Sequence, residues 1–169
     1  MAKDRYESPL SSRYASQYML QLFSQQERIH VWRQLWVELA RAEHQLGLPI
    51  TAEQVAELEA HTEDIDFEVA AAREKEVRHD VMAHVYTYGK AAPSAAGIIH
   101  LGTTSCYVTD NSDLVIYRKG LRYLRRFVQQ AMPLQPRWRG AQTALHRADR
   151  LGHPVTVGQL AETDGQIDP

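Results

Sequence analysis

His100-Leu101-Gly102-Thr103-Thr104-Ser105-Cys106-Tyr107-Val108-Thr109-Asp110-Asn111-Ser112-Asp113-Leu114 is where short elements give way to one long one. Gly102 permits a tight backbone path, and three hydroxyls follow it. Thr109 to Asp113 are residue types that start helices. From Asp113 on, Leu114, Tyr117, Leu121, Leu124 and Val128 alternate by three and four, which predicts a long helix packed lengthwise in a bundle. A hydroxyl-rich loop feeding a helix N-terminus gathers side-chain donors, free backbone N–H groups and a positive dipole end. Those groups suit a carboxylate or a phosphate. The same residues also serve simply to turn the chain and cap the helix, and composition leaves both readings open.

Upstream, Ser24-Gln25-Gln26-Glu27 has the capping-box pattern. It opens a helix along Ile29, Trp32, Leu35, Trp36, Leu39, Ala42 and Leu46, closed by Gly47 with Pro49 beyond. Trp32 and Trp36, one turn apart, read as core. Thr51-Ala52-Glu53-Gln54 repeats the box for a helix to about His61, and Asp66 is the expected cap of another, with Phe67, Val69 and Ala70 inward. A further helical pattern runs through Val81, Val85 and Tyr88 to Gly89, and Pro93 and Gly97 bracket a short turn. Residues 1–16, with Ser8-Pro9 and Ser11-Ser12, read as loop. After Gln130 come Pro133, Pro136, Pro154 and Pro169 with Gly140, Gly152, Gly158 and Gly165, so no long helix is expected there. Period-two runs of strand formers are lacking, and the expected fold is all-α.

The 169 residues, 44% hydrophobic and 24% charged, allow a core. A formal net charge of -2 argues against non-specific nucleic-acid binding. Cys106 is the only cysteine, so no internal disulfide framework exists. The first residues carry no apolar leader, and no run of apolar residues is long enough for a membrane span. A soluble cytoplasmic protein is the expectation.

His79-Asp80 is the best local pair for acid–base work, since a carboxylate can fix an imidazole's tautomer or raise its proton affinity. The plainer alternative is a surface His at a helix start with Asp80 as its N-cap. His79 and His84, five apart, point away from each other on a helix of about 100° per residue. His-Glu-x-x-His is absent and Cys106 stands alone, so no metal site is expected. Arg13-Tyr14 sets a guanidinium fork beside an aromatic ring, either a surface pair or an anion clamp.

Five blocks carry more than physical patterning. They are Ser12-Arg13-Tyr14-Ala15-Ser16, Trp32-Arg33-Gln34-Leu35-Trp36, Leu46-Gly47-Leu48-Pro49-Ile50-Thr51, Arg78-His79-Asp80-Val81-Met82-Ala83-His84, and Ala96 through Val108. Together, in order from about Tyr6 to Val128, they resemble the adenylosuccinate lyase family of the fumarase and aspartase superfamily. Arg78 to His84 and Thr104 to Val108 favour this branch over argininosuccinate lyase and fumarase.

The resemblance implies an all-α, homotetrameric family: a small N-terminal helical domain, then a bundle of long helices, with active sites assembled from several subunits. It implies cleavage of adenylosuccinate to AMP and fumarate, and of SAICAR to AICAR and fumarate, by β-elimination with no metal or organic cofactor. Position by position, Arg13 and Tyr14 resemble phosphate contacts, and Arg78, His79 and Asp80 a substrate-binding block in which His79 is catalytic. Thr104 and Ser105 resemble the hydroxyls that hold a succinyl carboxylate. The implied division is 1–103 as N-terminal helical domain, 104–130 as the start of the bundle, and 131–169 as a divergent, irregular tail. Two family blocks, Thr-His-x-Gln-Pro-Ala-Gln with the principal acid and Ser-Ser-x-Met-Pro-x-Lys-x-Asn with the base, do not occur here. Gly152 to Gly158 only faintly echoes the first, and the acid is not placed at His153. The family is nearly three times longer, which fits a truncation or a change of reading frame after about Gln130. The chain reads as an incomplete lyase or, alternatively, as a non-catalytic helical module that binds a nucleotide or a lyase partner.

Overall fold

The computed structural model describes residues 8–131, and all secondary structure there is helical. The helices are α1 (Gln17–Leu22), α2 (Gln25–Gln45), α3 (Ala52–Ala60), α4 (Phe67–Val77), α5 (Asp80–Ala91) and α6 (Ser105–Ala131). Compact packing divides the chain after Gly120. The expected irregular tail, beyond Ala131, lies outside the described residues.

Local chemistry accounts for most helix ends. Ser24 Oγ accepts the Glu27 N–H at 3.2 Å, but Glu27 turns its carboxylate to Lys119, 2.7 Å away, so only half of the first expected box forms. Thr51 and Gln54 form the reciprocal box in full. Asp66 caps α4 by accepting from Val69 N–H at 2.9 Å. Gly47, at φ 82°, closes α2 in a Schellman arrangement: Leu48 N–H reaches Glu43 O at 3.1 Å and Gly47 N–H reaches His44 O at 3.0 Å.

Three expectations are corrected. The segment read as loop contains one π-helical turn, Leu10–Tyr14, and then α1 opens on a Ser16 cap at once. α6 starts at Ser105, not at Asp113. Thr109, Asn111 and Ser112 are tolerated inside it because their side chains bond carbonyls of the preceding turn: Ser105 O at 3.2 Å, Tyr107 O at 2.7 Å and Thr109 O at 2.9 Å. The stripe expected to pack is also not the buried one. Leu114, Tyr117, Leu121, Leu124 and Val128 are exposed, whereas Val108, Ser112, Ile116 and Gly120 are buried. On α2, Ala42 and Leu46 are exposed as well, and Val31 and Val37 take up burial instead.

The core centres on α2. Trp32 and Trp36 stand edge to face with centroids 6.2 Å apart, surrounded by Ile29, Val37, Leu58, Val81, Tyr88 and Val108. A smaller cluster joins Leu22, Val31 and Ile116. Arg33 is fully buried among them. Its guanidinium lies 4.4 Å from the Tyr88 ring centroid and donates to His61 O at 2.5 Å, and its Nε and Nη2 have no partner among the described residues. Tyr88 in turn donates to Leu58 O at 2.5 Å, and burial holds its hydroxyl above the ordinary phenol range.

Polar ties run along α2 and α6 in opposite chain directions: Leu35 O to Tyr107 Oη, Trp32 to Ser112, Arg28 to Asp113 and Glu27 to Lys119. The two helices are therefore antiparallel, and the N-terminus of α6 falls near the middle of α2.

Candidate substrate site

Two helix N-termini meet at one side-chain contact. His79 Nε2 lies 3.2 Å from Ser105 Oγ, joining the start of α5 to the start of α6. His79, not Asp80, is the N-cap of α5. Its Nδ1 accepts the Met82 N–H at a long 3.5 Å, so the proton of the neutral ring sits on Nε2 and is donated to Ser105. Asp80 Oδ1 stands 3.6 Å from the same Nδ1 and accepts from Val81 N–H at 2.8 Å.

Backbone conformation singles out the same place. Among the described residues, two that are not glycine have positive φ: Arg78 at 52°, directly before His79, and His100 at 67°, five residues before Ser105. Such outliers gather where function constrains the chain. Gly102, at 65°, completes the path into Thr103 and Thr104. A Cβ at Gly102 would meet only Glu43 Oε1, at an ordinary 3.7 Å. Gly102→Ala is therefore expected to cost about 1 kcal/mol through backbone strain alone, measurable in a urea melt.

The sequence reading gave His100 no role. Trp36 Nε1–H can only donate, and it donates to His100 Nδ1 at 3.1 Å. The neutral ring therefore carries its proton on Nε2. Thr103 Oγ1 stands 3.1 Å from the same Nδ1 and 3.3 Å from His100 O. Burial, and after it the charge of His79, holds His100 below the ordinary imidazole range. Only the left-handed φ and the distant Trp36 reveal this residue, and neither is visible in sequence.

Of the expected residues, His79, Asp80 and Ser105 come together, with Arg78 and Thr104 adjacent in chain to them. Arg78 and Thr104 are exposed, and their side chains make no hydrogen bond or ion pair among the described residues. Arg13 and Tyr14 are exposed on the π-helical turn, and no hydrogen bond, ion pair or ring contact joins them to the other two patches among the described residues. A cavity of about 360 Å³ runs from Ser24, Gln25 and Arg28 to Glu74, Asp80 and His84, so Asp80 also fronts a second polar space. Among the described residues, no group of three or more His, Cys, Asp or Glu is disposed to hold a metal ion, and no helix is long and apolar enough to cross a membrane. The arrangement offers hydroxyls, an imidazole N–H, free guanidinium and two positive helix ends: donors for an anion.

Over 122 residues the chain is 57% identical to adenylosuccinate lyase of Schizosaccharomyces pombe, which takes in 70% of this chain and 25% of that protein. The chain is a relative of the adenylosuccinate lyases. Identity to adenylosuccinate lyase is 54% over 118 residues in Saccharomyces cerevisiae and 50% over 121 residues in Schistosoma mansoni, covering 68% and 72% of this chain. The chain spans about a quarter of the length of these adenylosuccinate lyases. No protein-family model matches it.

Proposed function

We propose that this chain carries part of the substrate site of an adenylosuccinate-lyase-type carbon–nitrogen lyase. The observation behind the reading is the His79–Ser105 contact, which joins two helix N-termini, with the exposed Arg78 and Thr104 beside them. In this reading Thr104 and Ser105 hold a carboxylate of a succinyl group, and Arg78 and Asp80 frame the substrate. His79 serves the proton transfers of the β-elimination, in which a carbon next to a carboxylate loses a proton and the departing nitrogen gains one. Arg13 and Tyr14 meet the nucleotide phosphate, within one chain or across copies in a homo-oligomer. Preorganised donors count most where charge builds up on the carboxylate in the transition state.

The acid-bearing and base-bearing family blocks do not occur in these 169 residues. The chain alone is therefore expected to bind fumarate or AMP without turnover. Calorimetry with each ligand and a fumarate-release assay on adenylosuccinate test this. Ser105→Ala is expected to weaken fumarate binding by about 1.5–3 kcal/mol, the range for a hydrogen bond to a charged group. Turnover at family-like rates, or identical binding in wild type and variant, overturns the reading.

A further inference from the structure

The first turns of α6 are tied into the core by a run of hydrogen bonds ending at the candidate site. Trp32 Nε1–H donates to Ser112 Oγ at 2.9 Å, and the Ser112 hydroxyl donates to Thr109 O at 2.9 Å. The Thr109 hydroxyl faces Ser105 O at 3.2 Å and Asp110 Oδ1 at 3.0 Å, donating to one of them. Ser105 Oγ then meets His79 Nε2. Ser112 is completely buried and Trp32 nearly so.

Tyr107 Oη–H also donates to Leu35 O at 3.0 Å, but that bond is only partly buried, and the remaining ties between α2 and α6 discriminate less. The Arg28–Asp113 pair is half exposed at Arg28, and exposed ion pairs contribute little and fix no geometry. Val108 and Ile116 pack by apolar burial, which has no direction. A rotation of α6 by one residue, about 100°, would carry Ser105 away from His79. It would also leave the indole N–H buried without an acceptor, which is costly.

We infer that Ser112 is a positioning residue, whose buried bond to Trp32 fixes the rotation of α6 about its axis and so sets Ser105 against His79. The functional weight of this rests on the lyase reading above; the geometry does not.

The test uses the full 169-residue chain, ¹⁵N-labelled, as wild type, Ser112→Ala and Ser112→Thr, at a temperature where circular dichroism shows all three folded. Imidazole ¹⁵N shifts report the His79 tautomer, and fumarate titration reports binding. Ser112→Ala is expected to move the Trp32 indole signal, mix the two His79 tautomers and weaken fumarate binding about tenfold. Ser112→Thr, which keeps the hydroxyl, is expected to restore both readouts. If Ser112→Ala lowers only the melting temperature and leaves His79 and fumarate binding as in wild type, Ser112 merely stabilises and the inference is wrong. A wild-type chain that binds no fumarate would defeat the lyase reading, while the His79 spectra still decide the positioning role. Where Ser112→Ala does not fold, Trp32→Phe removes the donor and is read the same way.

Discussion

Trp36→Ala is expected to remove about 3–5 kcal/mol of folding stability, a large part of the 5–15 kcal/mol typical of a small domain. Trp36 is 1% exposed and holds three neighbours at once. Its ring lies 6.2 Å from Trp32, 6.0 Å from Tyr88 and 6.0 Å from His100. Truncation leaves a cavity where α2 and α5 meet, and the surrounding rings cannot collapse into it without losing their edge contacts. It also strips His100 of the N–H that fixes its tautomer. Trp36→Phe weighs the two effects differently: it keeps most of the burial but removes the N–H donor entirely. Its cost is expected to be well under half that of Ala, with the His100 proton no longer confined to Nε2. Urea unfolding gives the stabilities and imidazole ¹⁵N shifts the tautomer. A loss below about 1 kcal/mol for Trp36→Ala would mean this ring is not the centre of the core.

Acidification below neutrality is expected to destabilise the fold through His84. Its ring stands edge-on to Trp32 and Phe67, at 5.8 and 6.1 Å, with Nδ1 buried and unpartnered among the described residues. Burial, and after it the neighbouring Arg33 cation, holds His84 below the ordinary imidazole value of 6.5, and Asp80 opposes them weakly. The unfolded chain therefore takes up a proton near pH 6.5 that the folded chain refuses. The stability owed to neutral His84 is full above that pH and is lost as pH falls toward the folded value. Within that window one such proton costs up to about 1.4 kcal/mol per pH unit. His100 shifts in the same direction and adds less, being more open to solvent. Urea midpoints measured from pH 8 to pH 5 test this. His84→Leu is expected to flatten the profile, and an unchanged slope in that variant would assign the acid sensitivity elsewhere. Arg33→Met is expected to reduce the slope without abolishing it, since burial of the imidazole remains.

The all-α class and most helix boundaries were legible because their causes lie within a few residues. Ser24, Thr51 and Asp66 cap the chain that immediately follows them, and Gly47 supplies the one backbone conformation that closes α2. The start of α6 was misread for a related reason. Thr109 to Asp113 suit a cap as well as a helix interior, and the outcome depends on which carbonyls lie in reach. The burial of Arg33 was invisible because nothing near it in sequence announces the Tyr88 face and His61 carbonyl that receive it.

The residue types that make an anion site possible are legible along the chain: the hydroxyls at 104 and 105, the Arg78-His79-Asp80 block and the exposed Arg13. Which of them meet is a matter of how the helices pack. His79 and Ser105 are 26 residues apart, and their contact depends on the rotation of α6 against α2. In our reading that rotation is set by the buried hydrogen bond between residues 80 apart, Trp32 and Ser112. Local propensity fixes what each helix is made of. The angle at which it presents a side chain depends on partners that a linear reading does not bring together.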